Sequence, residues 1–216
     1  MSTCRYEYEK TIAGLKESIA ALEFSPDGKT LASGCEDGSV TIFSTFDWKP
    51  LQRFIGVSPS TSLTWHPQAE GPLFCGFKNG DIHTLQTVRP QVRSQESQLR
   101  IKFDSETLLQ ANVRIRTDAS NGPIHCISHG TALNTLAVGS GNQVILADYS
   151  IQSERTASWH NTRRLPAPPG FPQLRAAKLP EPTAQSIHFL QEKDSLIVSY
   201  LHHGIVLVSS YISCGG

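Results

Sequence analysis

Hydrophobic and polar residues alternate in short stretches near the start of the chain. Ala20, Leu22 and Phe24 occupy every second position, which predicts a strand. The next residues, 25–28, read Ser-Pro-Asp-Gly and supply proline and glycine where a tight turn needs them. A second predicted strand covers 30–34, a turn follows at 36–38, and a third strand covers 39–43. The pattern therefore predicts an antiparallel meander.

The same meander recurs along the chain. Pro67 follows Pro26 by 41 residues and Gly80 follows Gly38 by 42, so both turns and the strand pattern coincide in the second copy. A third copy occupies 123–148, and in a fourth, at 185–209, only the hydrophobic pattern remains. Such a period is typical of proteins in which each repeat packs against its neighbours.

The first repeat resembles a WD40 repeat. The resemblance rests on residues 24–34, Phe-Ser-Pro-Asp-Gly-Lys-Thr-Leu-Ala-Ser-Gly, and on 37–43, Asp-Gly-Ser-Val-Thr-Ile-Phe. Repeats of this family span about 40 to 45 residues and form the four-stranded blades of a β-propeller. The first repeat departs from the family pattern at two places. Phe43-Ser44 stands where the closing dipeptide is expected, and Gly14-Leu15 stands where Gly-His is expected.

The resemblance implies an all-β, WD40-like β-propeller of about four blades, each an antiparallel four-stranded meander. We assign residues 1–216 to one such domain, with repeats at about 14–56, 57–121, 122–183 and 184–216 and long loops at about 86–121 and 150–183. In the first long loop, segments 97–103 and 112–116 both alternate, and one of them is expected to be the fourth strand of the second blade. In the second, the prolines of 165–182 predict a surface loop, because proline lacks the N–H of a central strand.

Two arrangements of the ends fit the sequence. Residues 4–12 alternate like a strand that would complete the last blade and close a small ring. Alternatively, the repeats form an open partial ring that belongs to a larger propeller. We favour the open ring, because closing a ring of four such blades would need unusual tilt. An open ring leaves sheet edges exposed, so self-association through these edges is a further expectation.

Composition limits the classes of partner. The chain has 19 basic and 19 acidic residues, so no overall field attracts it to nucleic acid or to an anionic membrane. No apolar run approaches the roughly 18 residues of a transmembrane helix, and the first residues do not read as a secretory signal. Five cysteines without a C-x-x-C pair are expected to stay reduced. These features favour a soluble protein of the cytoplasm or nucleus.

Catalytic signatures are absent from the sequence. It contains no G-x-S-x-G, H-E-x-x-H or phosphate-binding P-loop motif, and its eight histidines are scattered. We therefore expect no enzyme activity, no catalytic residues, no metal site and no cofactor. Two alternatives remain open. One is a catalytic or enzyme-associated β protein, either a propeller or a hydrolase-like sandwich, and the other is an incomplete fragment without independent function.

The resemblance implies a non-enzymatic scaffold or adaptor that binds other proteins. In propellers of this family, partners usually dock on the face formed by the loop before the first strand and the turn between the second and third strands. Carried over by position, this face would include Lys16, Glu17, Glu36, Asp37, Lys78, Asn79, His202 and His203. The expected partners are proteins, with no role for a membrane and nucleic acid disfavoured.

Overall fold

The computed structural model describes residues 7, 10–12, 15, 17–68, 71–86, 111–116, 122–130, 134–153, 156–165, 180–190 and 195–209; at 111–116, 151–153 and 156–161 this covers the backbone alone. Every regular element in these residues is a strand. No helix in the described part of the chain is long and apolar enough to cross a membrane.

Four antiparallel sheets follow one another along the chain, and we number them as blades 1 to 4. Each is a meander in which strands adjacent in sequence are hydrogen-bonded neighbours. Blade 1 contains β1 (Ile19–Phe24), β2 (Thr30–Cys35), β3 (Ser39–Ser44) and β4 (Pro50–Ile55). Blade 2 contains β5 (Ser60–Trp65), β6 (Leu73–Phe77), β7 (Asp81–Leu85) and β8 (Ala111–Arg116). Blade 3 contains β9 (Ile124–His129), β10 (Thr135–Ser140), β11 (Gln143–Ser153) and β12 (Thr156–Arg164), and blade 4 contains β13 (Ala184–Leu190), β14 (Ser195–Tyr200) and β15 (Gly204–Ser209).

The turns form where the sequence predicts them. Gly38 and Gly80 close the turns between the second and third strands of blades 1 and 2, and both have φ of +84°. A side chain is strained at that φ, so glycine fixes the position of the turn in both repeats. The first two strands of blade 1 are joined by the Ser-Pro-Asp-Gly turn, in which the N–H of Gly28 donates to the carbonyl of Ser25 over 2.8 Å. Matching turn chemistry thus produces matching hairpins.

Each blade packs on the next one through its first strand. β5 lies against β1 and β2, β9 against β5 and β6, and β13 against β9 and β10. Three apolar clusters fill these junctions, and each takes residues from both blades that it joins. The clusters contain Val40 with Leu63 at the first junction, Ile82 with Ile127 at the second, and Val144 with Ile187 at the third. The core is therefore a row of inter-blade layers.

Close approach of the blades depends on a glycine near the end of the second strand in blades 1, 2 and 3. A Cβ on Gly34 would lie 2.5 Å from Ser60 Oγ, and one on Gly76 would lie 2.5 Å from Ile124 Cγ2. At the third junction, a Cβ on Gly139 would lie 2.5 Å from Cys126 Sγ and 3.0 Å from Ala184 Cβ. These distances are shorter than ordinary contacts, so the absent side chain lets the next blade approach.

The four blades form an open partial ring, as expected. Apolar side chains on the outward sides of blades 1 and 4 are exposed, including Leu22 and Phe24 on β1 and Ile205 and Leu207 on β15. The expected closing strand at 4–12 lies largely outside the described residues.

One expectation about the long loops needs correction. The expected loop at 150–183 contains the end of β11 and all of β12, which pairs with β11 in blade 3. Its prolines begin only at Pro166, so the preceding residues are free to form ladder hydrogen bonds. In the expected loop at 86–121, β8 over 111–116 is the fourth strand of blade 2, which confirms one of the two candidates. The other candidate, 97–103, and the proline-rich residues 166–179 lie outside the described residues.

Candidate functional site

The turn between the second and third strands of a blade lies beside the connection that precedes its first strand. The N–H of Glu36 donates to the carbonyl of Ser18 over 3.0 Å in blade 1. In blade 2 the N–H of Lys78 donates to the carbonyl of Pro59 over 2.9 Å, and in blade 4 the N–H of Leu201 donates to the carbonyl of Thr183 over 2.8 Å. These backbone bonds join the two segments into one rigid surface on each blade.

These surfaces all lie at the same end of the stacked blades. Gly34, near the end of β2, lies against Ser60 at the start of β5. In the same way, Gly76 near the end of β6 lies against Ile124 at the start of β9. The end of one blade's second strand therefore lies beside the start of the next blade's first strand. We call the resulting surface the loop face; it comprises residues 17–18, 36–38, 56–59, 78–80, 141–142, 181–183 and 201–203.

Blade 1 contributes negative charge to the loop face. Glu17 and Glu36 are exposed. Asp37 has an internal role, because its carboxylate accepts a hydrogen bond from the N–H of Ser39 over 2.8 Å and lies 3.5 Å from the guanidinium of Arg53 on β4. Lys16 lies outside the described residues. Asp37 is exposed as well, but its carboxylate is bonded within the blade, so Glu17 and Glu36 are the nominated carboxylates that we assign to partner contact.

Blade 2 contributes positive charge and a locked turn. Lys78 is exposed at the tip. The side chain of Asn79 donates to the carboxylate of Asp81 over 2.6 Å and accepts from the N–H of Asp81 over 3.2 Å. Asp81 is 1% exposed, so the hydrogen bonds between Asn79 and Asp81 tie the turn to a buried residue. Lys78 and Asn79 are both exposed, and the Asn79 side chain is also hydrogen-bonded within the turn.

Blade 4 presents a histidine pair at its turn. His202 is exposed and has φ of +62°, a left-handed conformation that is uncommon for residues other than glycine. Nδ1 of His203 lies 2.9 Å from the carbonyl oxygen of Leu201, so this imidazole closes the turn. His202 is therefore exposed to solvent, whereas the imidazole of His203 is bonded to the backbone of its own turn.

The sequence analysis missed an apolar part of the loop face. Val57 is 88% exposed, and Ile55 at the end of β4 is 57% exposed. Both adjoin the blade 1 turn, where the N–H of Gly56 donates to the carbonyl of Gly38 over 3.0 Å. The available signal was Val57 itself, an apolar residue between Gly56 and Ser58-Pro59 in a segment too rich in turn residues to continue a strand. The loop face therefore combines exposed apolar area with charges of both signs.

A second polar cluster lies at the junction of blades 2 and 3, where their first strands end, on the side opposite the loop face. The rings of His66 and His129 have centroids 4.8 Å apart, and His129 Nε2 is hydrogen-bonded to the hydroxyl of Tyr149. Burial lowers the pKa of His129 to about 4, helped by the neighbouring His66, and burial lowers the pKa of His66 as well. Both imidazoles are therefore neutral at pH 7. No group of three or more His, Cys, Asp or Glu side chains suited to a metal occurs among the described residues.

The described cysteines are poor nucleophiles. Cys35, Cys75 and Cys126 are free and buried. Burial raises the pKa of Cys126 to about 12 and raises that of Cys75 well above its usual value. A thiol that stays protonated at neutral pH packs as a small apolar group.

Comparison with known proteins agrees with this architecture. The WD40 family, described as "WD domain, G-beta repeat", matches residues 6–44. Residues 6–44 thus match one WD40 repeat, and the structure of the chain is similar to a β-propeller. Among solved structures, the β-propeller domain of Cps50 (Swd1) from Myceliophteria thermophila superimposes with a TM-score of 0.62 at 12% identity. The match covers 91% of this chain and 55% of that domain, so the chain spans about half of that propeller's length. In all, 1071 chains of solved structures match this chain, so the fold alone identifies no partner.

Proposed function

We propose that this chain is a non-enzymatic scaffold that binds partner proteins on the loop face. The supporting observation is that the rigid turns of successive blades meet on one surface and direct Glu36, Lys78 and His202 outward. Pre-formed turns lose little conformational entropy on binding, which favours recognition by a surface already in place. The exposed side chain of Val57 adds an apolar contact within the charged surroundings.

The loop face favours a partner with charges of both signs. Glu17 and Glu36 lie on blade 1 and Lys78 on blade 2, so a complementary surface would place basic groups opposite blade 1 and an acidic group opposite blade 2. Asp37 and Asn79 support this surface through the turns that they hold. We expect them to affect partner binding through folding and not through contact.

A charge-reversal experiment tests the proposed face. The variant carries Glu17→Lys, Glu36→Lys and Lys78→Glu, and its control carries Lys29→Glu and Lys49→Glu on the opposite side of blade 1, where the lysine side chains are 75% and 76% exposed. Proteins captured by the unsubstituted chain are identified by mass spectrometry and compared with those captured by each variant. We expect the loop-face variant to lose specific proteins that the control retains. Equal capture by all three chains would refute the proposed face.

The absence of catalysis is part of the same proposal and has its own test. The thiols of Cys35, Cys75 and Cys126 are buried, and the rings of His66 and His129 pack against each other and against Phe74 and Tyr149. We expect no turnover of ester, phosphoester or peptide substrates, with or without added divalent cations. Turnover that co-purifies with the folded chain and is reduced by a point substitution in it would contradict this part.

We also propose that the protein resides in the cytoplasm or the nucleus. The free, buried thiols of Cys35, Cys75 and Cys126 suit a reducing compartment. Microscopy of a fluorescent fusion tests the location. Signal confined to secretory compartments would contradict it.

A further inference from the structure

The connection between blades 1 and 2 is bonded at both ends to the turns beside it. It consists of residues 56–59, which join β4 to β5. At its start, the N–H of Gly56 donates to the carbonyl of Gly38 in the blade 1 turn over 3.0 Å. At its end, the carbonyl of Pro59 accepts from the N–H of Lys78 in the blade 2 turn over 2.9 Å. The connection therefore holds the two turns at a fixed separation.

The separation between these turns is short. An extended chain advances by about 3.3–3.6 Å per residue, so a connection of this length spans at most about 14 Å. Each turn carries an exposed charged side chain, Glu36 in blade 1 and Lys78 in blade 2. An extended peptide of about four to six residues, laid along the connection, would reach from one charge to the other.

Both charges are available to a partner. Within the part of the chain that the structure describes, neither Glu36 nor Lys78 forms an ion pair. The neighbouring carboxylates have partners inside their own blades, because Asp37 lies 3.5 Å from the guanidinium of Arg53 and Asp81 is hydrogen-bonded to Asn79. Glu36 and Lys78 can therefore each pair with an opposite charge on a ligand.

The surface between the two charges is apolar. Val57, the second residue of the connection, is 88% exposed, and Ile55 at the end of β4 is 57% exposed. Val57 lies between the two hydrogen bonds that fix the connection, and its branched side chain has few rotamers to lose on binding. The surface thus presents a negative charge, a stiff apolar side chain and a positive charge in that order.

We propose that this part of the loop face binds an extended peptide segment in which an apolar side chain lies between a basic and an acidic one. The basic group pairs with Glu36, the apolar group packs on Val57, and the acidic group pairs with Lys78. The connection sets the basic and acidic residues about three to five positions apart. A segment with like charges at both positions is repelled at one of them. This inference rests on the proposed function of the loop face and specifies the ligand of that face.

A displayed library of random linear peptides, selected against the whole chain, provides the probe. The enriched sequences should share the basic, apolar and acidic order at this spacing. The tightest peptide is then synthesised, and its Kd is measured by fluorescence anisotropy. Glu36→Lys and Lys78→Glu should each raise this Kd at least about 5-fold, and Val57→Ser should raise it about 3- to 10-fold. Lys49→Glu is the control on the opposite side of blade 1 and should leave the Kd unchanged.

Reversing a charge on both molecules tests which groups meet. Replacing the basic residue of the peptide with Glu should restore binding to the Glu36→Lys chain but not to the Lys78→Glu chain. Circular dichroism confirms that each variant is folded, and Glu36→Gln and Lys78→Gln replace any that is not. Selection that enriches no peptide, enriched peptides without the charge order, or no restoration would each overturn the inference.

The triple variant Glu17→Lys, Glu36→Lys and Lys78→Glu separates this inference from the proposed function. Enriched peptides that lack the charge order but fail to bind the triple variant would refute the peptide pattern and leave the loop face as a binding surface. Peptides that bind the triple variant and the unsubstituted chain equally would count against both.

Discussion

The carboxylate of Asp37 holds the turn between β2 and β3 and ties it to β4. It accepts a hydrogen bond from the N–H of Ser39 and lies beside the guanidinium of Arg53. The adjacent Glu36 is exposed at the tip of the same turn. The sequence shows two neighbouring acids in a turn but not which of them contacts Arg53, because that depends on where Arg53 lies in the folded blade.

Asp37→Ala should lower the free energy of unfolding by about 1–2 kcal/mol, since it removes a turn hydrogen bond and leaves the partly buried Arg53 without this partner. Glu36→Ala is the control and should change stability by less than about 0.5 kcal/mol. Urea unfolding of the three chains provides the measurement. Equal stability of the two variants would contradict the role of Asp37.

His129 provides the second prediction at this scale, which concerns acid stability. Its pKa is about 4 in the folded chain and near 6.5 when exposed, so the unfolded chain binds the proton more readily. The stabilising difference is fully present above pH 6.5 and is lost as the pH falls from 6.5 towards 4. His129→Gln removes the titrating group and should flatten the decline in stability across that range.

Urea unfolding at several pH values between 7.5 and 4 gives this slope. His202→Gln is the control, because its side chain is exposed, and it should leave the slope unchanged. An unaltered slope in His129→Gln would show that other groups account for the acid sensitivity. The cluster was beyond the sequence analysis, because His66 and His129 lie in different repeats and meet only when blades 2 and 3 stack.

Among the elements, the hairpins that were predictable are those with strong turn chemistry. Proline and glycine at fixed positions define β1 to β3 and their counterparts in blade 2, and the structure confirms these strands. β8 corresponds to one of the two segments that the sequence offered as the fourth strand of blade 2. β12 was assigned to a loop because the prolines that follow dominate its segment. It pairs with β11 as β4 pairs with β3, but β11 and β12 have 11 and 9 residues where β3 and β4 have 6 each.

Substitution of a junction glycine tests how closely the blades pack. Gly76→Ala should lower the free energy of unfolding by about 1–3 kcal/mol, because its Cβ would meet Ile124 Cγ2 and Ser62 Oγ, each at 2.5 Å. Gly28→Ala is the comparison, since its Cβ would meet nothing within 4 Å and only its φ of +67° opposes the change. Thermal unfolding should rank Gly76→Ala as the less stable variant. The reverse order would mean that blades 2 and 3 do not pack as described.

At the scale of the whole molecule, the described residues form an open row of stacked meanders, with four strands in blades 1 to 3 and three in blade 4. The repeat pattern predicted four blades and an open ring, and the structure agrees with both. The sequence could not show that Leu22 is exposed while Leu63 is buried, because both lie in the same alternating pattern. Leu63 is buried because blade 1 packs against β5, and this contact is a property of the assembled fold.

Hydrogen–deuterium exchange of the folded chain tests this architecture most directly. β2, β6, β10 and β14 each have a hydrogen-bonded strand on both sides, so their amides should exchange slowly in all four blades. The turns of the loop face at Glu36 and Lys78 should exchange faster than these strands. If the chain folds into four stacked sheets, the amides of all four second strands should exchange slowly. Rapid exchange throughout β14, or throughout any other second strand, would contradict the four-bladed fold.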